Sequence, residues 1–141
     1  MIVKVSKTAG VHGELLVSGS KNASLPALCA SLLTKEWLTL ENVPLIDDID
    51  KMLKILKSIG CEYTLENHTV RIRSANPSYK VLTEEVGDIR ASYYLMGALL
   101  SRKKKVLIGY PGGCNLGSRP IDFHLKAFRD LGFRVTENGQ F

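Results

Sequence analysis

"DDIDKMLKILKSIGCEYTLENHTVRIR", residues 47–73, carries the clearest secondary-structure signal in the chain. In its first half, apolar residues recur at helical spacing, and these are Ile49, Met52, Leu53, Leu56 and Ile59. Acidic residues open this segment and Gly60 closes it, which is typical of a helix with favourable ends. The second half predicts two strands separated by a turn at residues 66–68, where Asn67 is a suitable turn residue. The stretch therefore predicts a helix followed by a β-hairpin.

The segments before this stretch predict a strand, a helix and a second strand. GELLVSG, residues 13–19, predicts a short strand. NASLPALCASLL, residues 22–33, predicts a largely buried helix in which Pro26 is tolerable only near the first turn. WLTLENVP, residues 37–44, predicts a strand that ends in a turn. Together with the helix and hairpin, these elements form a βαβαββ-like unit.

The same order of elements returns in the second half of the chain. RASYYLMGALLS, residues 90–101, predicts a second buried helix, and KVLIGYP, residues 105–111, predicts a second strand. Residues 120–131 predict a second amphipathic helix, which begins at a proline and is closed by Gly132. The run RKKK, residues 102–105, ends the buried helix, where cations suit the helix dipole, and we expect it to be a solvated turn.

Individual residues also recur between the two copies. Asn22-Ala23-Ser24 corresponds to Arg90-Ala91-Ser92, and Ile59-Gly60 corresponds to Leu131-Gly132. The second copy is longer, and its extra residues fall in or next to residues 111–120. By the first copy's count, the strand TVRIR at residues 69–73 should recur near residue 141. We therefore expect the chain to be the N-terminal part of a longer protein, the alternative being loss of a terminal strand.

Composition limits the classes of function. The chain has 141 residues, 45% of them hydrophobic, which is sufficient for one globular domain. A net charge of +5 favours anionic partners in general. Aromatic residues make up only 7%, without the interleaving of aromatic and basic residues that a nucleic-acid surface needs. No segment is typical of a membrane span or signal peptide, so we expect a cytoplasmic protein with no membrane or nucleic-acid partner.

The glycine-rich stretch PGGCNLGSRP, residues 111–120, places a thiol where a core cysteine is not expected. Cys29 lies in the apolar helix and Cys61 begins a strand, so both are interpreted as core residues. Cys114 instead lies among glycines, and nearby Arg119 and the following helix N-terminus favour its thiolate. A chemical role for Cys114 is therefore predicted; a Cys-His-Asn arrangement is an alternative, and no cysteine or histidine spacing indicates a metal.

Two strand-to-helix junctions carry a cation in equivalent places. In SGSKN, residues 18–22, Lys21 lies at a helix N-terminus, where backbone N–H groups and the dipole favour anions. The alternative is an ordinary helix cap beside a solvated lysine. Arg90 lies at the equivalent position of the second copy and opposes the helix dipole, so an anionic ligand or a carboxylate would explain it, as would a solvated side chain.

Three motifs resemble the UDP-N-acetylglucosamine 1-carboxyvinyltransferase family of enolpyruvyl transferases. They are SGSKNASLPALCASLL at residues 18–33, DIRASYYLMGALL at residues 88–100 and PGGCNLGSRPIDFHLKAF at residues 111–128. The sister family, 5-enolpyruvylshikimate-3-phosphate synthase, typically has Ser after the lysine and lacks the cysteine loop. Lys21-Asn22 and Cys114 therefore favour the UDP-sugar enzymes.

The resemblance implies an α/β fold, the inside-out α/β barrel of six βαβαββ units. This chain would supply about two units, the second incomplete. Residues 1–20 would be a first strand region that belongs to the other domain, residues 21–88 the first unit, and residues 89–141 a second unit truncated before its last strand. The missing C-terminal part of the enzyme, or self-association through exposed core surface, would then cover the open side.

The resemblance also implies roles for individual residues. Cys114 would be the catalytic general acid that protonates phosphoenolpyruvate, and it is the cysteine that the epoxide fosfomycin alkylates in this family. Phosphoenolpyruvate would be bound by Lys21, Asn22 and Arg119. UDP-N-acetylglucosamine would be bound by Arg90, Arg119, Pro120, Ile121, Asp122 and Phe123. Ile121 and Phe123 replace the usual Val and Leu. No metal or cofactor is implied.

The implied reaction transfers the enolpyruvyl group to the 3-hydroxyl of UDP-N-acetylglucosamine, the first committed step of peptidoglycan synthesis. The family's aspartate base and a further arginine would lie beyond residue 141, so the fragment alone should be inactive. Two alternatives stay open: a non-catalytic module that binds a nucleotide sugar or a protein, and a relative of 5-enolpyruvylshikimate-3-phosphate synthase.

Overall fold

The computed structural model describes residues 2–112 and 120–137. Its elements are, in chain order, α1 (Lys21–Ala30), β1 (Trp37–Leu40), α2 (Asp47–Ser58), β2 (Glu62–Glu66), β3 (Thr69–Arg73), β4 (Lys80–Val81), α3 (Glu85–Asp88), α4 (Tyr94–Lys103), β5 (Leu107–Ile108) and α5 (Asp122–Asp130). A 3₁₀ turn, Ser31–Leu33, extends α1, and another, Arg90–Tyr93, leads into α4. From α1 onwards, the order agrees with the predicted repeat, with β4 and α3 as additions.

Helix α2 forms as its sequence predicts, and its end is closed by a glycine. The apolar stripe is fully buried, while acidic residues occupy the first turn. Gly60 has φ +95, and the N–H groups of Gly60 and Cys61 donate to the carbonyls of Lys57 and Leu56. This is a Schellman ending, which requires a residue tolerant of a left-handed backbone. Helix α5 ends in the same way at Gly132, with φ +88, so the repeat extends to backbone geometry.

The predicted hairpin is part of a three-stranded antiparallel sheet, in which β3 is the central strand. Strands β2 and β3 pair from Glu62↔Arg73 to Glu66↔Thr69, and β1 pairs with the other edge of β3. Asn67 and His68, the two turn residues, both have positive φ, at 45 and 63. A two-residue turn with two left-handed residues matches the twist of the strands, which explains why this turn closes the hairpin.

A parallel β-α-β arrangement joins the end of the predicted first copy to the second copy. Strands β4 and β5 pair in parallel, from Lys80↔Leu107 to Val81↔Ile108, with α4 between them in the chain. The strand predicted over residues 105–111 is therefore confirmed only at its centre. It is short because its described partner, β4, has only two residues.

The core lies between the helices and the inner face of the three-stranded sheet. Its fully buried members come from both copies and include Leu28, Leu32, Ile49, Leu56, Ile72, Leu95 and Leu99. A second cluster of Met96, Ile121 and Leu125 joins α5 to α4. The two copies therefore share one core.

Two local predictions are wrong. Residues 13–19 form no strand: Leu15 and Leu16 are 87% and 99% exposed, and a strand needs a partner strand to satisfy its backbone. Pro26 lies well inside α1, which begins five residues earlier at Lys21. Proline lacks the N–H that would have donated to the Asn22 carbonyl. Asn22 lies near the exposed end of the helix, so water can donate to that carbonyl instead.

The prediction of a solvated turn at residues 102–105 is wrong for Arg102. Its side chain is half-buried, and Nη1 donates to the carbonyls of Leu32 and Thr34 at 2.7 and 2.8 Å. Its Nη2 donates to the carbonyl of Ala75 at 2.7 Å. The guanidinium carries several donors in a fixed plane, so it binds carbonyls from two separate segments of the first copy.

Candidate functional site

The predicted phosphoenolpyruvate residues Lys21 and Asn22 lie exposed at the N-terminus of α1. Ser20 precedes the helix in an extended conformation, and its carbonyl accepts the N–H groups of Ala23 and Ser24 at 3.2 and 2.9 Å. The helix thus begins where the sequence predicts, with a lysine in its first turn. This end of α1 can accept an anion by charge and by backbone N–H groups.

The junction before α1 is fixed against the turn that follows β1. The Gly19 N–H donates to Oδ1 of Asn42 at 3.1 Å, and a Cβ on Gly19 would lie 1.6 Å from the Asn42 carbonyl oxygen. Only glycine allows this approach of the two backbones. Asn42 itself has φ 55, a left-handed conformation that asparagine tolerates. Asn42, a residue that the sequence analysis did not identify, therefore fixes the predicted SGSKN junction.

The Lys21 ammonium forms an ion pair with Asp48 in the first turn of α2. The distance from Nζ to Oδ2 is 2.6 Å, and the Lys21 and Asp48 side chains are 48% and 34% exposed. Sequence reasoning interpreted the acidic start of α2 as complementing its helix dipole and missed this contact. The sequence does show three aspartates in this turn. The helix dipole attracts all three, so it gives no reason to single out Asp48.

The N-terminal part of α2 also reaches the second candidate segment. Lys51 pairs with Asp47 at 2.9 Å and with Asp88 at 3.3 Å, and these hydrogen bonds, that of Asp47 first, raise the pKa of Lys51. Asp88 ends α3, two residues before Arg90. Both predicted ligand-binding segments are thus attached to the same helical turn.

Arg90 lies beside the predicted nucleotide-sugar residues at the start of α5. Its Nη2 donates to the carbonyl of Pro120 at 3.4 Å, and its guanidinium lies 5.7 Å from the ring centre of Tyr93. The Tyr93 ring is 4.7 Å from that of His124 on α5. A hydrogen bond with Tyr94, followed by burial, raises the pKa of Tyr93. These contacts hold Arg90 and the beginning of α5 together.

The predicted residues at the start of α5 differ in exposure. Ile121 is buried in the second apolar cluster, whereas Asp122 and Phe123 are exposed, Phe123 to 81%. Ile121 therefore fixes the helix end, and Asp122 and Phe123 are open to a ligand. Cys114 and Arg119 lie outside the described residues, so their predicted roles stay predictions.

Gly112 and Pro120, the described residues on either side of residues 113–119, both contact residues 86–90. On the upstream side, the Gly112 N–H donates to the Val86 carbonyl at 3.4 Å, and a Cβ on Gly112 would lie 1.4 Å from the Gly87 carbonyl oxygen. On the downstream side, Pro120 accepts the bond from Arg90. Gly112 therefore lies against Val86 and Gly87, and Pro120 lies against Arg90.

Cys29 and Cys61 are core residues, as predicted. Burial raises the pKa of the Cys29 thiol to about 12, and burial is also the main cause that raises the pKa of Cys61. Cys29 Sγ lies 3.6 Å from Met52 Sδ, and Cys61 Sγ lies 3.1 Å from Ser74 Oγ. Such thiols are poor nucleophiles at neutral pH.

The comparisons with known proteins agree on one family. The family model described as EPSP synthase (3-phosphoshikimate 1-carboxyvinyltransferase) matches residues 5–141. A UDP-N-acetylglucosamine 1-carboxyvinyltransferase of Prochlorococcus marinus (strain MIT 9515) is 42% identical over 134 residues, covering 94% of this chain and 29% of that protein. The one of Finegoldia magna is 40% identical over 141 residues, covering 99% and 33%. The chain spans about a third of the length of the curated relatives it matches.

A solved structure confirms the mixed α/β fold. The enolpyruvyl transferase NikO from Streptomyces tendae is similar with a TM-score of 0.57 at 24% identity, over 60% of this chain and 20% of that one. At this identity the similarity concerns the architecture and not the substrate. Within the described residues, no helix has the length and apolar character needed to cross a membrane.

Proposed function

The chain belongs to the EPSP synthase (3-phosphoshikimate 1-carboxyvinyltransferase) family, and from this membership we propose that it is part of an enolpyruvyl transferase acting on UDP-N-acetylglucosamine. The observation that carries the choice of acceptor is its set of relatives: proteins named for this acceptor match 94% and 99% of the chain at about 40% identity. Lys21-Asn22 and Cys114 support the same choice over shikimate 3-phosphate. The proposed place of action is the cytoplasm, at the start of peptidoglycan synthesis.

In the proposed reaction, addition is followed by elimination. The 3-hydroxyl of the sugar attacks C2 of phosphoenolpyruvate while Cys114 gives its proton to the methylene carbon. The hydroxyl proton goes to a base supplied outside these 141 residues. The tetrahedral intermediate then loses inorganic phosphate and a methyl proton, which restores the carbon–carbon double bond and forms the enol ether. Although Arg119 and the helix N-terminus favour the Cys114 thiolate, the cysteine must be in its thiol form, within reach of the carbon, to act as this acid. Alkylation by fosfomycin instead uses the thiolate form.

The geometry supports a division of the two substrates between two segments. Lys21 and Asn22 at the start of α1 suit the phosphate of phosphoenolpyruvate, with Arg119 as a further cation. Arg90, Asp122 and Phe123 suit the nucleotide sugar, since a guanidinium, a carboxylate and an exposed ring can bind the diphosphate, a hydroxyl and the base. Pro120 and Ile121 set the position of that second segment through the Arg90 contact and the buried cluster.

Fosfomycin labelling of the 141-residue chain tests this proposal. We expect intact-mass analysis to detect one adduct, which peptide mapping assigns to Cys114, formed faster when UDP-N-acetylglucosamine is present. The Cys114→Ser variant is the control, and buried Cys29 and Cys61 serve as internal unreactive thiols. An adduct promoted by shikimate 3-phosphate instead would favour the sister reaction. Absence of labelling, or equal labelling of all three cysteines, would contradict the proposal and favour a non-catalytic module.

A further inference from the structure

We propose that Asp48 is a positioning residue, whose carboxylate orients the Lys21 ammonium for the phosphate of the substrate. The inference rests on the proposed function, in which Lys21 binds that phosphate. It starts from the 2.6 Å ion pair between Lys21 Nζ and Asp48 Oδ2. Asp48 is not among the residues that the sequence indicated for substrate binding.

A lysine at a helix end does not hold its ammonium in one place. Its four-carbon stem is flexible, and ordering it costs conformational entropy. An ammonium has three N–H donors, so a lysine that makes a charge-assisted bond to Asp48 can also donate to an anion. The Lys21 side chain is 48% exposed, so an anion from solution can reach it.

The backbone on both sides of this ion pair is held in place. On the Lys21 side, the Gly19 N–H is bound by Asn42. On the Asp48 side, the chain between β1 and α2 is anchored at Val43, which is buried. The Val43 N–H donates to the His68 carbonyl at 2.8 Å, and His68 Nδ1 donates to the Val43 carbonyl at 3.0 Å. The hairpin turn thus holds the backbone of the segment that carries Asp48. The backbone positions of both ion-pair partners are therefore fixed by hydrogen bonds.

The other acidic residues of this helical turn have different partners. Asp47 pairs with Lys51, and Asp50 pairs with Lys54 one turn along the same helix. All three carboxylates can interact favourably with the helix dipole, so the dipole does not account for the specific approach of Asp48 to Lys21. Asp50 is therefore a matched control: the same residue type, in the same turn, with an exposed ion pair of its own.

Positioning and simple electrostatics predict opposite effects for the loss of the Asp48 charge. If only charge mattered, removing a carboxylate beside an anion site would strengthen anion binding, since like charges repel. If Asp48 positions Lys21, removing it lets the ammonium move, and anion binding weakens. The sign of the change in affinity therefore separates the two explanations.

The test is a titration of the 141-residue chain with inorganic phosphate, followed by the NMR signals of the Lys21 side chain and the Gly19 amide. We expect Asp48→Asn to raise the dissociation constant about fivefold and Asp50→Asn to leave it unchanged or slightly lower. Asp48→Glu, which keeps the carboxylate, should recover part of the affinity, a result that a general structural role would not give. The amide spectrum of each variant reports whether the fold is retained.

Three results would overturn the inference: phosphate binding in Asp48→Asn that equals or exceeds that of the unsubstituted chain, an equal loss in Asp50→Asn, or no phosphate response at Lys21. Failure of the proposed function is a separate result. Nucleotide-sugar-dependent fosfomycin labelling would then be absent although Asp48→Asn still weakens phosphate binding. If labelling occurs and phosphate binding is insensitive to Asp48, the proposed function stands and the positioning role does not.

Discussion

The buried thiol of Cys29 shows how one residue can link stability to pH. Cys29 lies in α1, packed against Met52 of α2, and burial disfavours its thiolate. Its pKa is about 12 in the folded protein, compared with 9.0 for an ordinary cysteine. The folded state therefore keeps a proton that the unfolded chain releases. This contribution to stability is fully present below pH 9 and is lost as the pH rises from 9 to 12.

We therefore expect alkaline pH to destabilise the protein partly through Cys29. Between pH 9 and 12, the unfolding free energy should fall by about 1.4 kcal/mol per pH unit more steeply in the unsubstituted chain than in Cys29→Ala. Urea unfolding at several pH values measures both curves. Lysine and tyrosine titrations are common to both proteins, so they cancel in the comparison. Parallel curves would show that the thiol ionises without unfolding.

At the same scale, the sequence indicated the cations of the candidate site but not their partners. The positions of Lys21 and Arg90 at the start of helical segments could be predicted because a cation at a helix N-terminus is a local pattern, and their binding roles stay predictions. Asp48 and Asn42 could not, because their contacts with residues 21 and 19 depend on how α1 and α2 pack. The roles of Cys114 and Arg119 stay predictions.

At the scale of elements, local signals decided which predictions were confirmed. The ends of α2 and α5 could be predicted because a glycine after an amphipathic helix is sufficient for the Schellman ending. The hairpin could be predicted because its turn residues tolerate left-handed backbone. The strand at residues 13–19 was wrong because apolar character does not supply a partner strand. The role of Arg102 was missed because its three carbonyl partners are distant in the sequence, at separations of 70, 68 and 27 residues.

Arg102 gives a prediction about the attachment of α4 to the first copy. Arg102→Lys should lower the unfolding free energy by about 1–3 kcal/mol, because one ammonium cannot reach the three carbonyls that the guanidinium binds. The exposed Arg134→Lys is the matched control and should have little effect. Urea denaturation measures both. Equal stabilities would mean that water satisfies those carbonyls as well as the guanidinium does.

At the scale of the whole molecule, the described chain divides into a packed body and an exposed arm. Residues 2–17 have no regular structure, and their apolar side chains are exposed, Ile2 to 98% and Leu16 to 99%. The interpretation that residues 1–20 belong to another domain stays a prediction, as does the division at residues 88 and 89. Strand β4 lies before that division and pairs with β5 after it.

Deletion of residues 2–17 should therefore leave the stability of the body nearly unchanged. We expect a change in unfolding free energy within about 0.5 kcal/mol, since the deleted side chains bury little surface. The deletion keeps Gly19 and its bond to Asn42. Thermal and urea unfolding of the two proteins measure the difference. A loss of several kcal/mol would show that the arm packs against the body in solution.

Residues 48–51 of α2 contact both candidate ligand segments, and this has a thermodynamic consequence. Asp48 holds Lys21, and Lys51 from the same turn holds Asp88, two residues from Arg90. If a ligand at one segment shifts this turn, it changes the affinity of the other segment. Thermodynamic linkage then requires the effect to be reciprocal. If the proposed nucleotide sugar changes the affinity for phosphate by some factor, phosphate must change the affinity for the nucleotide sugar by the same factor. Cooperation between two substrates would thus follow from one turn of helix, whichever ligand arrives first.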